Sequence, residues 1–358
     1  MGKALVVVGG GYIGAELAKG LEDTFDVTLV EPRDAFVHAP AMLRALVDAS
    51  VRDRALIPYD KLLSKGTVIK AKATGVKSNA VLVGEDEVPA DYIVLATGAS
   101  NGGIFKPGDE SIKAFREAQS RVSNEIKRAE RIVIVGAGAV GTELAGEIAH
   151  AFPDKSLTLV SADAALFPEL PAKLGSGLLK RLSAMGVDVI LGTRVSDLQS
   201  TTEPYAGTVT LSDRRQIEAD LVIPAIGSQP QTALFDSLPD VTRGPDGRVK
   251  VDGYMRPSSL PNVFAAGDAV DAGDLMTIVA TSRQQPWLAT ILKALAAGKN
   301  LESQKRYSPW GKAPILVPLG PQRGNSFLII ATFGDWVTRA AKGKDLFISK
   351  YRKLLGYS

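Results

Sequence analysis

Two glycine-rich segments, each lying between a short apolar run and a helix-like stretch, constrain the fold of this 358-residue chain more than any other feature. The first, Gly9–Gly14 (GGGYIG), follows the apolar run Ala4–Val8. The second, Gly136–Gly141 (GAGAVG), follows Arg131–Val135. Both contain the pattern G-x-G-x-x-G between a predicted strand and a predicted helix, which is typical of dinucleotide-binding α/β units. We therefore predict two such units in one chain.

Each glycine of the first pattern has a predicted role. Gly9 lets the chain turn tightly out of the strand, Gly11 lets the backbone approach a pyrophosphate, and Gly14 lets the helix pack against the strand. The helix N-terminus then offers free N–H groups to the phosphates. Glu31 ends the next predicted strand, 22 positions after Gly9, where a carboxylate accepts hydrogen bonds from ribose hydroxyls. The strand, the helix and the acid all agree with a nucleotide site.

The second segment differs at one informative position. Gly136, Gly138 and Gly141 repeat the three roles, but Ser161 occupies the position of the ribose-binding acid. A carboxylate there would repel a 2′-phosphate by about 4 kcal/mol at contact distance and intermediate dielectric. Ser161 imposes no such repulsion, and no arginine follows closely to favour NADPH. We therefore expect NADH and NADPH both to bind; the alternative is a duplicated unit whose second site has lost its ligand.

A third signal lies late in the chain, where the predicted strand Val263–Ala266 ends in Gly267 and Asp268. The glycine lets the backbone pass close to a ligand, and the aspartate can hold sugar-like hydroxyls such as those of a flavin ribityl chain. Taken alone, a Gly-Asp pair after a strand is an ordinary turn. Two further predicted strands end in a similar manner, at Thr97-Gly98 and at Gly227.

The order of these motifs predicts one unit inserted into another. The predicted fold class is α/β, with two Rossmann-type dinucleotide-binding domains, the second inserted in the first, plus a C-terminal module. The predicted parts are an FAD-binding domain of residues 1–110 and 240–300, an NAD(P)H-binding domain of residues 112–238, and the C-terminal module of residues 301–358. Two segments rich in Gly and polar residues, 101–110 and 227–247, are predicted hinges.

Composition excludes several classes of function. The chain has no cysteine, so structural disulfides, iron–sulfur clusters and redox-active cysteine pairs are excluded. With only two histidines, no metal site is expected. Basic and acidic residues are nearly balanced, 42 against 39, so nucleic acid is not an expected partner.

The sequence shows no targeting or anchoring pattern. A strand-like run stands at the start, so we expect no secretory signal. Val6 interrupts the N-myristoylation pattern that would begin at Gly2. No uninterrupted apolar run reaches the length of about 18 residues that predicts a transmembrane helix. We expect a cytoplasmic protein that is not secreted, with a peripheral position on a membrane as a further option.

These motifs together resemble the two-dinucleotide flavoprotein superfamily over the whole chain. Phe36–Arg44 (FVHAPAMLR) and Lys344–Phe347 (KDLF) resemble, more specifically, the ferroptosis suppressor protein 1 family of apoptosis-inducing-factor-like proteins, which is similar to type II NADH dehydrogenases. The resemblance implies an FAD-dependent NAD(P)H:quinone oxidoreductase that passes a hydride from NADH or NADPH to flavin N5 and then electrons to a ubiquinone- or menaquinone-like quinone. The alternatives are a reductase of a ferredoxin- or rubredoxin-type protein and a redox-sensing binding protein.

The resemblance also implies roles for individual residues. Arg44 would contact FAD, Ala73 in the predicted strand Thr67–Ala73 would lie against the adenine through its backbone, and Asp268 would bind the ribityl chain. Glu143 would lie by the nicotinamide nucleotide. From the residues alone, Arg44 and Glu143 are equally well explained as solvated helix charges. The pyrophosphate would be held by Gly9, Gly10, Gly11, Tyr12 and Ile13.

Three residues are candidates for the reaction itself. His38 is either a proton donor near the flavin or a packed loop histidine, and the packed alternative is favoured. Lys342 and Phe347 belong to a basic, apolar-studded tail, Trp336–Ser358, and we expect them at a quinone pocket. The tail either lies on an anionic membrane surface or packs against the protein with a solvated basic face.

Overall fold

The computed structural model describes residues 2–100, 103–108 and 111–358. Positions 101, 102, 109 and 110 of the predicted hinge 101–110 lie outside the described residues. The elements up to residue 100 are β1 (Ala4–Val8), α1 (Tyr12–Leu21), β2 (Asp26–Val30), β3 (Ala35–Val37), α2 (Ala39–Ala45), α3 (Ala49–Ala55), β4 (Leu56–Pro58), β5 (Thr67–Ile69), β6 (Ala73–Lys77), β7 (Ala80–Val83), β8 (Asp86–Pro89), β9 (Tyr92–Leu95) and β10 (Ala99–Ser100).

The middle of the chain repeats the pattern of strand, glycine turn and helix. Its elements are α4 (Ile112–Arg128), β11 (Arg131–Val135), α5 (Ala139–Ala151), β12 (Ser156–Val160), α6 (Ala172–Ala184), β13 (Val187–Ile190), β14 (Tyr205–Thr210) and β15 (Gln216–Pro224). The last part contains β16 (Gln229–Pro230), β17 (Val249–Lys250), β18 (Val263–Ala265), β19 (Val270–Asp271), α7 (Ile278–Ala296), β20 (Ile315–Leu319), β21 (Arg323–Phe327), β22 (Thr332–Phe333), α8 (Asp335–Thr338) and α9 (Ile348–Leu354).

The first unit is built on a five-stranded parallel sheet in the order β18-β9-β1-β2-β5. Strand β1 lies at its centre, and Leu5, Val6 and Val7 are at most 1% exposed, which explains its unbroken apolar sequence. Because β18 comes from residues 263–265, the chain leaves this sheet after β9 and returns to it much later. The predicted α/β fold with an inserted unit is confirmed.

The second unit contains a sheet in the order β13-β12-β11-β15-β14. Strands β11, β12, β13 and β15 are parallel, and β14 pairs antiparallel with β15 at the edge. Helix α5 follows β11 as α1 follows β1, so the two units begin with the same strand–turn–helix sequence.

Two predicted boundaries differ from the structure. Ala73 does not continue β5: that strand pairs with β2 for only three residues, and Ala73 opens β6, which pairs antiparallel with β7. Phe235 and Leu238, predicted in the inserted unit, are buried with Val6 and Val263 in the core of the first sheet. The chain therefore re-enters the first unit before Phe235. It does so through β16, which pairs antiparallel with β10, the strand where the chain leaves that unit.

The C-terminal module packs on both units. Its sheet, β20-β21-β22, lies against α5, where a side chain on Gly146 would come within 2.4 Å of the Leu319 Cα. Tyr351 of helix α9 and Leu355, directly after it, are buried in the core of the first unit. Among the described residues, no helix has both the length and the apolar character needed to cross a bilayer.

Candidate active site

A cavity of about 370 Å³ opens at the carboxyl ends of β1, β2 and β9 in the first unit. This is the edge where parallel α/β sheets bind nucleotides, because the strand ends and helix N-termini converge there. Eleven residues that the sequence predicted for cofactor binding line it: Gly9, Gly10, Gly11, Tyr12, Ile13, Glu31, Ala73, Thr97, Gly98, Gly267 and Asp268. We call it the first cavity.

The glycine turn at the first cavity has the geometry that its sequence predicts. Gly9 has a φ of +98°, and its N–H donates to the Val30 carbonyl at 2.9 Å. A Cβ on Gly14 would lie 1.7 Å from the Gly9 carbonyl oxygen, so only glycine lets α1 approach the turn. At Gly11 a Cβ would meet no atom within 4 Å, which leaves open space at the helix N-terminus. That space and the N–H groups beside it suit a pyrophosphate.

Glu31 lies on the wall of the first cavity, directly after β2. Its Oε2 accepts the Gly10 N–H at 2.6 Å, and its Oε1 accepts from Arg33 Nε at 2.6 Å. The side chain is 1% exposed, so these donors stabilise a buried carboxylate. Tyr59 donates its hydroxyl to the Gly10 carbonyl at 2.7 Å, and burial raises its pKa well above the usual value. Sequence reasoning missed Tyr59 because no motif surrounds it.

Asp268 lies where the first cavity meets a second one, because it lines both. Lys106 also lines both cavities, and its Nζ lies 3.3 Å from Asp268 Oδ2. No sequence signal indicated Lys106, which belongs to the predicted hinge. Tyr12 and Thr281 also line both cavities, so the turn after β1 and the first part of α7 form part of the boundary between them.

The second cavity, of about 460 Å³, is bounded by both units and by the C-terminal module. Besides Tyr12 and Asp268, it brings together three further predicted site residues: Glu143 from α5, Lys342 and Phe347. The other side chains on its wall are largely apolar, among them Pro40, Leu43, Phe105, Val140, Ile278, Val279, Ile315 and Leu316. Lys342 belongs to a π-helical turn, Arg339–Gly343, a form often found at functional sites.

Glu143 and Lys342 form a buried ion pair on the wall of the second cavity. Lys342 Nζ lies 2.7 Å from Oε1 and 2.9 Å from Oε2 of Glu143, and 3.1 Å from the Leu316 carbonyl oxygen. The two side chains are 11% and 7% exposed. Burial raises the pKa of Glu143 above its usual value, although the neighbouring lysine favours the charged form. The solvated alternative for Glu143 is therefore wrong.

The second glycine turn reproduces the first. Gly136 has a φ of +108° and donates to Val160 O at 2.8 Å, and a Cβ on Gly141 would lie 1.9 Å from the Gly136 oxygen. Ser161 donates its N–H to Ile190 O at 2.8 Å, as Glu31 does to Ile69 O at 3.0 Å. The structural equivalence of Ser161 and Glu31 is thus as predicted. Five predicted NAD(P)H-site residues line neither cavity: Gly136, Gly138, Gly141, Ser161 and Gly227.

Arg44 is held by an ion pair inside the protein, and the contact with FAD that the resemblance implies stays a prediction. Its Nη2 lies 2.8 Å from Glu147 Oε1 and its Nη1 donates to the Gly343 carbonyl at 2.8 Å. The two side chains of the pair are 10% and 3% exposed, so Arg44 is not a surface charge. It lines neither cavity. A buried guanidinium needs a charged partner, and Glu147 provides it across the boundary between the units.

His38 is a packed residue, which is the alternative that the sequence favoured over a proton donor at the flavin. It is fully buried and lines neither cavity. Its Nδ1 lies 3.1 Å from the Tyr12 hydroxyl, and its Nε2 bonds the Leu346 carbonyl. The tail is likewise packed at Leu346, Ile348 and Tyr351, whereas Trp336 is 81% exposed. A tail that lies on a membrane through all its apolar residues is therefore excluded.

Comparison with known proteins agrees with this architecture. Two models described as pyridine nucleotide-disulphide oxidoreductase match residues 57–298 and 4–77. The chain is 31% identical to apoptosis-inducing factor homolog B of Dictyostelium discoideum, over 98% of this chain and 96% of that protein. It is 28% identical to ferroptosis suppressor protein 1 of Xenopus tropicalis, over 98% and 96%.

A solved structure, NDH2 from Plasmodium falciparum in complex with NADH, shares the fold with a TM-score of 0.75 at 14% identity, over 98% of this chain and 97% of that one. The predicted resemblance and the predicted cofactors, FAD and NAD(P)H, are confirmed. The chain thus belongs to the pyridine nucleotide-disulphide oxidoreductase family, in the group of the apoptosis-inducing factor homologs and ferroptosis suppressor protein 1, and is an NAD(P)H-dependent flavoprotein oxidoreductase.

Proposed function

We propose that this flavoprotein is an NAD(P)H:quinone oxidoreductase whose quinone occupies the second cavity. The observation that carries the proposal is the composition of that wall: largely apolar side chains lie beside one buried pair, Lys342 and Glu143. The other charged residues of the wall are Lys106, Asp268 and Lys350, and of these Lys106 and Asp268 lie where the two cavities meet. A quinone ring is flat and apolar, with two carbonyl oxygens that accept hydrogen bonds. A mostly apolar pocket with a few placed polar groups fits such a molecule.

The absence of cysteine supports this choice within the family. Members that reduce disulfides need a redox-active cysteine pair, and this chain has none. Electrons must therefore pass directly from the flavin to a second substrate. The second cavity meets the first at four residues, which gives that substrate a place beside the FAD site: Tyr12, Lys106, Asp268 and Thr281.

The overall reaction converts NAD(P)H, one proton and a quinone into NAD(P)⁺ and a quinol. The chemistry that FAD supplies when bound is acceptance of a hydride and delivery of its two electrons to the second substrate. Glu31 and the Gly9–Gly14 turn would hold its adenosine and pyrophosphate, and Asp268 its ribityl hydroxyls. The hydride brings two electrons and one proton, so the quinol needs one further proton.

Lys342 and Glu143 are positioned to supply that proton. The ammonium group is a donor, and the buried carboxylate, whose pKa is raised, is able to take a proton from solvent and return it to the lysine. The transfer from Glu143 to Lys342 would run along hydrogen bonds of 2.7 and 2.9 Å. General acid catalysis by such a pair contributes about 10²–10⁴ in rate. Phe347 adds an aromatic face to the same wall.

We also propose a peripheral contact with anionic membranes, because quinones with long apolar tails reside in lipid. Ile330 is 90% exposed at the tip of the hairpin β21–β22, and Trp336 is 81% exposed on α8. The tail that follows is rich in Lys and Arg, which attract anionic lipids. Flotation with vesicles that contain an anionic lipid, compared with neutral vesicles, tests this contact, and Ile330→Asp should weaken it.

The decisive experiment is steady-state oxidation of NADH and NADPH with a panel of quinones, ferricyanide, oxygen and a ferredoxin. We expect turnover with quinones over many cycles per flavin. Phe347→Ala should slow quinone reduction while FAD content and flavin reduction by NADH are retained. Rapid reduction of the ferredoxin with no quinone turnover would replace the proposal by a protein-reductase function.

A further inference from the structure

A single turn carries two side chains of the second cavity, Lys342 at its start and Phe347 at its end. We call residues 342–347 the 342–347 turn. Within it the Leu346 N–H donates to the Lys342 carbonyl at 2.7 Å. The position of the Leu346 peptide therefore affects both cavity residues.

The end of this turn has an unfavourable backbone conformation. Leu346 has a φ of +51° and Phe347 a φ of +64°, and both carry a Cβ. Left-handed conformations are disfavoured for such residues, and two in succession persist only where surrounding contacts hold them. The turn therefore requires a partner outside itself.

That partner is His38, which lies more than three hundred positions earlier in the chain. Its Nε2 bonds the Leu346 carbonyl. A carbonyl oxygen only accepts, so Nε2 carries the proton and Nδ1 accepts from the Tyr12 hydroxyl at 3.1 Å. The Ala39 N–H donates to the same hydroxyl at 3.0 Å. The ring is held by Tyr351, whose centroid lies 4.9 Å away.

These contacts make His38 unsuited to proton transfer. The Leu346 carbonyl cannot pass a proton onward, so the chain of hydrogen bonds from Tyr12 ends there. Burial lowers the pKa of His38 to about 4, which keeps the ring neutral near pH 7. The His38 ring is therefore a rigid group with one hydrogen-bond donor, directed at the Leu346 carbonyl, and one acceptor, directed at the Tyr12 hydroxyl.

We propose that His38 is a positioning residue for the second cavity: it holds the 342–347 turn through Leu346 and orients the Tyr12 hydroxyl where the two cavities meet. The inference rests on the proposed function for its kinetic consequence, because a displaced turn would move Lys342 and Phe347 away from the quinone. Its structural part, the restraint of Phe347, can be measured without any quinone.

Two substitutions separate the two hydrogen bonds. In His38→Gln the longer side chain can place an amide N–H near the position of Nε2, so the bond to Leu346 is kept. In His38→Asn the shorter side chain can replace only Nδ1, so that bond is lost. We expect the KM for the quinone to rise about tenfold in His38→Asn, as for a lost buried hydrogen bond, with flavin reduction by NADH unchanged. His38→Gln should stay within about twofold of the original protein.

A spectroscopic readout makes the test independent of quinone turnover. The protein is labelled with 4-fluorophenylalanine, and the ¹⁹F signal of Phe347 is identified by its absence in Phe347→Leu. We expect this signal to shift or broaden in His38→Asn and to be retained in His38→Gln. His150→Asn, which changes the exposed histidine at the end of α5, is the matched control and should change neither the ¹⁹F signal nor the KM.

Each outcome of these experiments either supports or overturns the positioning role of His38. If the unaltered protein reduces no quinone, the proposed function fails, while the ¹⁹F comparison still tests the restraint. Loss of quinone reduction in both variants, with an unchanged Phe347 signal, would indicate a proton donor and overturn the inference. Equal loss of FAD and of thermal stability in both, with an unchanged KM, would reduce His38 to a purely structural residue. If His38→Asn does not fold, a tenfold rise of KM in His38→Gln overturns the inference and an unchanged KM supports it.

Discussion

Lys342 Nζ lies 2.7 Å from Glu143 Oε1, although 199 positions separate the two residues in sequence. The contact joins a π-helical turn of the C-terminal module to α5 of the inserted unit. Both side chains are at most 11% exposed, so the pair is largely buried and keeps only a small contact with solvent where the proposed substrate would lie. A buried pair of this kind is costly to break and positioned for proton transfer.

Lys342→Met should impair the reduction of the quinone and not the reduction of the flavin, and the unpaired Glu143 carboxylate should also lower the free energy of unfolding. Removing the ammonium group removes the proposed proton donor, so oxidation of the reduced flavin by quinone should slow by about 10²-fold or more. Stopped-flow measurement of the two half-reactions gives both rates. Lys344→Met, an exposed lysine two positions along the same turn, is the control. Equal losses in both half-reactions would contradict the assignment.

Gly11→Val should give a folded protein without FAD. A Cβ at Gly11 meets no atom within 4 Å, so we expect the protein to tolerate the branched side chain, which would fill the space proposed for the pyrophosphate. Gly14→Ala, by contrast, would place a Cβ 1.7 Å from the Gly9 oxygen and should lower stability as well. The flavin absorbance and the circular dichroism spectrum separate the two results. A yellow Gly11→Val protein would refute the placement of the pyrophosphate.

Ser161→Glu should make the enzyme selective for NADH. The new carboxylate would occupy the position that Glu31 has in the first unit, where it would repel a 2′-phosphate. We expect kcat/KM for NADPH relative to NADH to fall about tenfold or more. Tenfold corresponds to about 1.4 kcal/mol, which is less than the ~4 kcal/mol of repulsion between the carboxylate and the 2′-phosphate. Ser176→Glu, at an exposed serine of α6, controls for the added charge. If the unaltered enzyme already rejects NADPH strongly, the role of Ser161 is wrong.

Arg44→Met should destabilise the protein through Glu147. The substitution leaves a buried carboxylate without its partner, which costs about 3–5 kcal/mol in the free energy of unfolding. The double variant with Glu147→Met removes both charges and should recover most of that loss, together with the FAD content. Urea unfolding and flavin absorbance measure the two effects. Loss of FAD that persists in the double variant would support the implied contact between Arg44 and FAD.

Glu22→Gln should reduce stability at pH 7 and have a diminishing effect as the pH falls. Burial alone would raise the pKa of Glu22, but hydrogen bonds from Lys19, Lys65 and Ser64 outweigh it and lower the pKa from 4.5 to about 2. The carboxylate therefore stabilises the fold fully above about pH 4.5, and this contribution disappears as the pH approaches 2. We expect a loss of about 2 kcal/mol at pH 7.

Urea unfolding of Glu22→Gln and the unaltered protein at pH 7, 5, 4 and 3 gives this pH dependence. Glu117→Gln, at an exposed glutamate of α4, should show no such trend. A difference between Glu22→Gln and the unaltered protein that stays constant over this range would show that the carboxylate charge contributes nothing.

The sequence alone determined the two nucleotide-binding turns and the inserted arrangement of the units. Gly9 is required because its φ is positive, and Gly14 is required because a Cβ there would lie 1.7 Å from the Gly9 carbonyl oxygen. Both requirements arise within a few residues of the chain, so the local sequence predicts them. The apolar strands β1 and β11 were readable for the same reason, because both faces of a central parallel strand are buried. Glu31 and Ser161 followed from counting along the next strand.

Only the tertiary structure decided which distant side chains are in contact and which of them are buried away from solvent. Arg44 meets Glu147, 103 positions away, and Lys106 meets Asp268, 162 positions away, with no local pattern marking either pair. The strand boundary at Ala73 and the return of the chain before Phe235 also depended on pairing partners elsewhere. The same physical reason applies to each of these features. The free energy of a buried charge or a strand edge depends on its neighbours in space, and these neighbours come from distant parts of the chain.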